Sequence, residues 1–445
     1  MLLMFAILFV ICAFTLRKPF IGVCVIMATL ILRDAMIIET YDAFTDYHCY
    51  KILYIFTFLG MLISRPDAMS AMVPSSALDW GMLGFFFMLL ASAMVNGVAI
   101  MSHKYIDLFF KAMVLYFLVS RLCDTPKRIR ITAIIAIAAT TFLVYLAFRK
   151  YRSGELSYAR PYGRTPIHEF GLQLAITFPL IGAMLADKWG KFMRFALFMC
   201  LPLYVLVTLR CTSRSAYLGV GLGLLMVAWY HRRRLHWMLL ASPLLLFAVT
   251  HQTEEVSMNL ESIWTHRLPT GEKDTSILMR LEQMRTAARI IQSNPIFGIG
   301  PRQFFMQYAN YVDQTDFLGG TYTMHSVPLL ILCEEGVLGF LVYYGLIVLG
   351  ALYDSYFVVK TTRGDPKMLS VSCIAAGCLM GFIGFLAYGL AQPQMWIANI
   401  YATLGLVTAS RRVVAAYLLN AGSVVDAPAA VEGVHTPRTT QLVFS

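Results

Sequence analysis

Charge is what this chain has least of. Only 14% of its 445 residues are Asp, Glu, Lys or Arg, where a water-soluble domain carries about a quarter. With 58% hydrophobic residues, a soluble fold would expose apolar patches far beyond the few hundred Å² that soluble monomers tolerate. Organised cysteine chemistry is missing as well. Nine cysteines are scattered, mostly inside apolar runs (Cys12, Cys24, Cys200, Cys373, Cys378), with no CxxC and no Cys/His group at zinc spacing. Buried cysteine behaves as a small hydrophobe, so neither a disulfide framework nor a metal site is expected. No internal repeat is present. The apolar runs are long and do not alternate, which excludes transmembrane β-strands. The net charge of +11 does not point to nucleic acid, because no basic stripe is interleaved with exposed aromatics.

What is present is a series of apolar runs near the length that crosses a bilayer, about 20 residues. They read at 2–16, 19–32, 52–64, 81–101, 107–122, 131–148, 170–187, 194–209, 216–230, 237–250, 327–358, 370–391 and 395–410. The first two are short and are separated by Arg17-Lys18-Pro19. The order of charge and apolar run there is wrong for a cleaved signal peptide, so both are read as membrane segments. The expected fold is all-α and polytopic, with about 12 transmembrane helices. Residues 1–250 and 327–410 form the two parts of the bundle, 251–326 a large outer loop domain, and 411–445 a cytoplasmic tail that reads as disordered.

Lysine and arginine set the orientation. The basic connectors are 126–130 (PKRIR), 188–194 (KWGKFMR), 231–236 (HRRRLH), 360–367 (KTTRGDPK) and the segment beginning Arg411-Arg412. All fall on one side if the spans alternate, and that side is assigned to the cytoplasm. The loops at 149–169 and 251–324 and the short turn at 210–215 then face outward.

The segment from His251 to Met324 is too long for a simple connector and too aromatic for a disordered linker, with Trp264, Phe304, Tyr308 and Tyr311 among its residues. Its clearest element is a helix over Ser276–Gln292. Ile277, Leu281, Met284, Ala288 and Ile291 recur at helical spacing and predict its buried stripe. Glu282, Arg285 and Arg289 fall on the polar face. Arg280 falls at the edge of the stripe, where a cation either snorkels to water or holds an anion. The following NPIFGIGP contains Gly298 and Gly300, a turn whose backbone amides could approach a ligand.

Outward-facing arginines break the positive-inside pattern. Arg210 and Arg214 lie in a turn between two spans, the latter between Ser213 and Ser215. An arginine at a membrane boundary against the topology rule is either an anchor to lipid phosphate or a functional group. Arg160, Arg164 and His168 lie in another arginine-rich outer loop. The guanidinium fork suits phosphate oxygens, so an anionic partner or membrane lipid headgroups are expected at this face. Asp42 and Asp46 read as solvated loop residues.

His325 closes the outer loop where the next apolar run begins. A lone histidine beside an apolar run is structural in most proteins. Its ordinary pKa of about 6.5 also suits it to general-base work. Glu334 and Glu335 are the nearest acids beyond it, able to orient a partner or cap backbone amides.

His325-Ser326, nine residues, Gly336, two residues and Gly339 form a pattern. With NPIFGIGP and the Ser213-Arg214-Ser215 turn, it resembles the bacterial O-antigen ligase superfamily, over roughly residues 160–410. Phe340-Leu341 stand where a Thr-Thr pair sometimes follows in that family. The resemblance implies a GT-C-like glycosyltransferase of the inner membrane, working on its periplasmic face without metal or nucleotide cofactor. It would move a glycan from undecaprenyl pyrophosphate to the lipid A-core oligosaccharide in lipopolysaccharide biosynthesis. On that resemblance His325 would deprotonate or position the acceptor hydroxyl, and Arg214, Arg280 and Arg210 would bind the donor pyrophosphate. Arg160, Arg164, His168 and Glu335 are secondary candidates. Ser326, Gly336, Gly339, Gly298 and Gly300 would be structural. An O-antigen polymerase and a protein O-oligosaccharyltransferase share these features. A lipid or glycan transporter, the non-enzyme alternative, would instead need ionisable groups within the spans.

Overall fold

A computed structural model describes residues 2–32, 49–64, 73–152, 167–210, 216–217, 219–221, 275–313, 323–393 and 395–425. Among these residues all regular structure is helical. The helices are α1 (Leu2–Arg17), α2 (Pro19–Leu32), α3 (Cys49–Ser64), α4 (Ala77–Val95), α5 (Ala99–Leu122), α6 (Pro126–Arg152), α7 (Ile167–Met184) and α8 (Lys191–Arg210). Further along the chain come α9 (Thr275–Ser293), α10 (Gln303–Tyr311) and α11 (Val327–Glu334). The last three are α12 (Gly336–Thr361), α13 (Leu369–Gly389) and α14 (Ala398–Val425). Among the described residues six helices are long and apolar enough to cross a membrane: α4, α6, α8, α12, α13 and α14. The chain is a polytopic helical membrane protein.

Local chemistry explains several boundaries. Ser76 caps α4, its Oγ accepting the Asp79 amide at 3.1 Å, while Asp79 Oδ2 accepts the Ser75 amide at 2.9 Å. The Ser76 cap satisfies an amide that the first helical turn leaves open, and Asp79 in turn holds the residue before the cap. Between helices in lipid there is little hydrophobic drive, so close packing of small residues matters more. α7 and α13 show it: a Cβ at Gly381 would stand 2.4 Å from the Ile176 carbonyl oxygen. Only a glycine lets the two backbones approach so closely.

Several boundaries differ from the sequence expectation; the predicted span at 81–101, for one, runs over Ala77–Val95. The predicted span at 107–122 begins earlier, at Ala99, because Val98 and Ser102 lie against the turn at Gly300-Pro301 described below. The predicted span at 327–358 is broken at Glu335-Gly336, giving α11 and α12, with a π-helical turn at Tyr343–Val348. Residues 411–425, expected in a disordered tail, instead continue α14. Val413 and Val414 are buried there, and Arg411 pairs with Asp354 at 2.6 Å.

The two ends of the bundle differ in charge. At one end Arg130 lies over the Trp189 ring at 3.6 Å and 3.5 Å from Asp187, which also accepts from Ser370 at 2.8 Å. Near the same end Arg121 and Asp79 form a completely buried pair at 2.9 Å, and Tyr116 donates to Asp79 Oδ1 at 2.8 Å. Nothing in the local pattern pointed to this pair, since each residue stands near the end of an apolar run. Four of the basic connectors therefore gather at one end; 231–236 lies outside the described residues. A second core ties the opposite end together. It joins Leu89, Phe109, Tyr343 and Tyr401 of the long helices to Ala287, Ile290, Phe304, Tyr308 and Cys333 of α9, α10 and α11. The short helices α9, α10 and α11 thus share a core with the bundle.

Candidate active site

The site is built where α9 lies across the start of α11. The predicted helix is present, but its buried face is another one. Gln283, Thr286, Ala287 and Ile290 are buried, while Leu281 and Met284 are about half exposed. Glu282, expected on the solvated face, is buried too. The reason is tertiary: α9 packs Ala287 and Ile290 into the core around Cys333, and that contact overrides the apolar count along the helix.

Gln283 meets His325 from this face. Its Oε1 accepts the His325 backbone amide at 3.2 Å and lies 3.1 Å from His325 Nδ1. His325 is half-buried, and the next residue, Ser326, is the buried N-cap of α11. Arg280 sits one turn before Gln283 and is half-buried. Residues three apart share a helix side, so α9 presents Arg280 on the side that carries the partner of His325.

The glycine motifs form a scaffold beneath this pair. The strip 294–302 and the break between α11 and α12 dock backbone to backbone. Ile299 donates to the Cys333 carbonyl and Gly300 to the Glu334 carbonyl, both at 2.9 Å, and Val337 donates to Pro295 at 2.8 Å. Gly298 and Gly336 have φ of 64° and 69°, the left-handed region that L side chains disfavour. A Cβ on Gly336 would also lie 2.2 Å from the Ile296 carbonyl oxygen. The Ile299 and Gly300 amides are thus directed to carbonyls, which corrects the expectation that they face a ligand. From the bundle, Ser92 Oγ lies 2.6 Å from the Phe297 carbonyl and 2.7 Å from that of Glu334. Asn96 Nδ2 donates to Gly298 at 3.0 Å and Ser102 Oγ to Pro301 at 2.8 Å. Gly339 is buried one turn into α12, where a Cβ would meet that of Glu335 at 2.3 Å.

The two acids have different surroundings. Glu334 Oε1 accepts the Phe304 amide at 3.2 Å and so serves the first turn of α10. Burial pushes its carboxyl up to about 8, against the lowering effect of the Arg302 and Phe304 amides. Glu335 is fully buried in the turn, and neither of its oxygens has a hydrogen-bond partner among the described residues. Burial, then the neighbouring Glu334, raise it well above the ordinary carboxylate range. The charged form of Glu335 is therefore disfavoured within the scaffold.

Of the other sequence candidates, Arg214, Arg160 and Arg164 lie outside the described residues. The backbones of Arg210 and His168 fall at the end of α8 and the start of α7, with their side chains outside the description. Arg289, expected on a solvated face, donates to the Tyr311 carbonyl at 3.2 Å and to Asp313 at 3.3 Å. Gln283, Ser92 and Asn96 were not singled out from the sequence, since an amide or hydroxyl in a helix carries no motif. Among the described residues no three His, Cys, Asp or Glu side chains gather in a way that could hold a metal ion.

The long apolar helices make this a polytopic helical membrane protein, and an oriented imidazole sits at the end of the bundle opposite its basic connectors. Residues 195–344 match the O-antigen ligase family model, and this match supports membership of the O-antigen ligase/polymerase superfamily. Members of that family are glycosyltransferase-like ligases and polymerases, which supports an enzyme acting on lipid-linked glycans. A search of curated proteins gave no match.

Proposed function

We propose that the protein is an O-antigen ligase. It transfers a polysaccharide from undecaprenyl pyrophosphate to the lipid A-core oligosaccharide on the periplasmic face of the inner membrane, by an inverting and metal-independent reaction. The observation that carries this reading is His325, held against the Arg280-bearing helix inside the segment that matches the family. The acceptor hydroxyl oxygen attacks the anomeric carbon as the bond to the pyrophosphate oxygen breaks. His325 takes the hydroxyl proton. The leaving group departs as undecaprenyl pyrophosphate, its charge met by Arg280, Arg214 and Arg210. A pyrophosphate already leaves readily, so the protein's task is to hold two amphiphiles in line and activate one hydroxyl.

Complementation tests this. In a strain lacking its own ligase, wild type is expected to restore long-chain glycan on lipid A. His325→Ala and Arg280→Ala are expected to leave the glycan on the undecaprenyl carrier. Normal decoration of lipid A by His325→Ala overturns the assignment. Glycan that stays attached but becomes shorter marks a polymerase, and glycan on protein marks a protein-directed transferase.

A further inference from the structure

We infer that Gln283 is a positioning residue that fixes the tautomer of His325, with the proton on Nδ1 and the lone pair on Nε2. The inference rests on His325 being the base of the reaction proposed above. It follows from one obligatory donor. The His325 backbone N–H can only donate, and the Gln283 amide atom facing it stands at 3.2 Å. That atom must be the oxygen, because the amide nitrogen would set donor against donor. The direction of the side-chain amide is thus decided by chemistry, not by the similar shapes of its two ends. The same oxygen lies 3.1 Å from Nδ1. An amide oxygen only accepts, so Nδ1 must carry the hydrogen. A neutral imidazole protonated at Nδ1 keeps its lone pair on Nε2. Nε2 is therefore the atom that receives the acceptor proton.

The support for this arrangement is rigid. Gln283 is fully buried, and one turn on Ala287 and Ile290 anchor the helix in the core that contains Cys333. The two bonds to one oxygen fix the ring's position as well as its tautomer. The choice of glutamine also has a chemical consequence. A carboxylate in its place would favour the charged imidazolium and raise the proton affinity of the ring. The neutral amide orients the ring without placing a charge beside it.

The test uses the full chain in proteoliposomes containing an undecaprenyl pyrophosphate-linked glycan and lipid A-core, with initial rates measured from about pH 5 to 9. Gln283→Met keeps the length and removes the acceptor. It is expected to lower kcat by about 10²-fold or more while KM for the donor stays. Gln283→Glu restores an acceptor and adds a charge. It is expected to turn over faster than Gln283→Met and to move the acid limb of the rate profile upward by about one pH unit or more. A kcat for Gln283→Met within about twofold of wild type, or an unmoved acid limb for Gln283→Glu, overturns the inference. If Gln283→Met does not fold, the Gln283→Glu limb decides alone. His325→Ala run alongside separates the two levels. Full activity there refutes the proposed function, whereas inactive His325→Ala with an unmoved Gln283→Glu limb refutes only the tautomer assignment.

Discussion

Replacing Gly336 by alanine attacks the joint on which the site is built. The residue sits at φ 69°, and its new Cβ would stand 2.2 Å from the Ile296 carbonyl oxygen and 2.7 Å from the Gly298 amide nitrogen. The left-handed backbone costs an L residue roughly 1–2 kcal/mol. Relief of the overlap must come from backbone, since no flexible side-chain end is involved, and overpacking of this kind costs about 1–3 kcal/mol. Moving the 295–298 strip also breaks the Val337–Pro295 bond at 2.8 Å and the Leu338–Ile296 bond at 3.4 Å, each worth about 1 kcal/mol. The sum is on the order of 5 kcal/mol, comparable with the whole stability of many domains. Gly345 is a matched control in the same helix. A Cβ there meets nothing within 4 Å, so Gly345→Ala should change stability by no more than about 1 kcal/mol. Thermal melting of the detergent-solubilised protein, followed by size-exclusion chromatography, should show Gly336→Ala lost well below wild type and Gly345→Ala unchanged. Equal melting of the two variants would refute the docking argument.

Other changes test other parts of the structure. Ser92→Ala leaves the Phe297 and Glu334 carbonyls without their hydroxyl donor and should cost roughly 1–3 kcal/mol, measured by the same melting assay. Arg121→Met strands the completely buried Asp79 carboxylate. It should destabilise by about 3–5 kcal/mol, whereas Arg121→Met with Asp79→Leu should recover much of that loss; a double-mutant cycle without coupling would contradict this. Glu334 carries a pH dependence. Its folded pKa of about 8 is raised by burial, so the protonated carboxyl contributes stability that is full below the ordinary carboxylate range. That contribution falls as pH rises and is lost above about 8. Glu334→Gln keeps an oxygen for the Phe304 amide and cannot ionise, so its melting advantage over wild type should grow from about pH 5 to pH 8. A constant difference across that range would show that the carboxyl does not titrate as described.

Much of the architecture was legible because the membrane imposes it. Each apolar run must close its own backbone hydrogen bonds, so hydropathy alone identifies helices, and lysine and arginine in short loops sort their ends. α9 was readable for the same local reason, with Asn294-Pro295 closing it. What local pattern could not show was which face of α9 is buried. Leu281 and Met284 look like core, yet they are about half exposed while Gln283 and Glu282 are inside. Burial there is set by the position of Cys333 and Tyr308, from distant segments of the chain. The break at Gly336 was hidden inside the single span read at 327–358, although Glu334-Glu335 interrupt its apolar run, because a positive φ leaves no hydropathy signal.

Composition and spacing were enough to identify a helical membrane protein with His325 at a loop-to-helix junction and two glycine motifs that resemble those of a known family. Those features are local: composition, periodicity and spacing carry them. The docking of the two glycine motifs, the role of Glu334 at α10 and the contact of Gln283 with the imidazole came into view only in the folded chain. A hydrogen bond between residues 283 and 325 depends on the angle at which two helices meet. That angle is fixed by packing over the whole core, which no single stretch of sequence encodes.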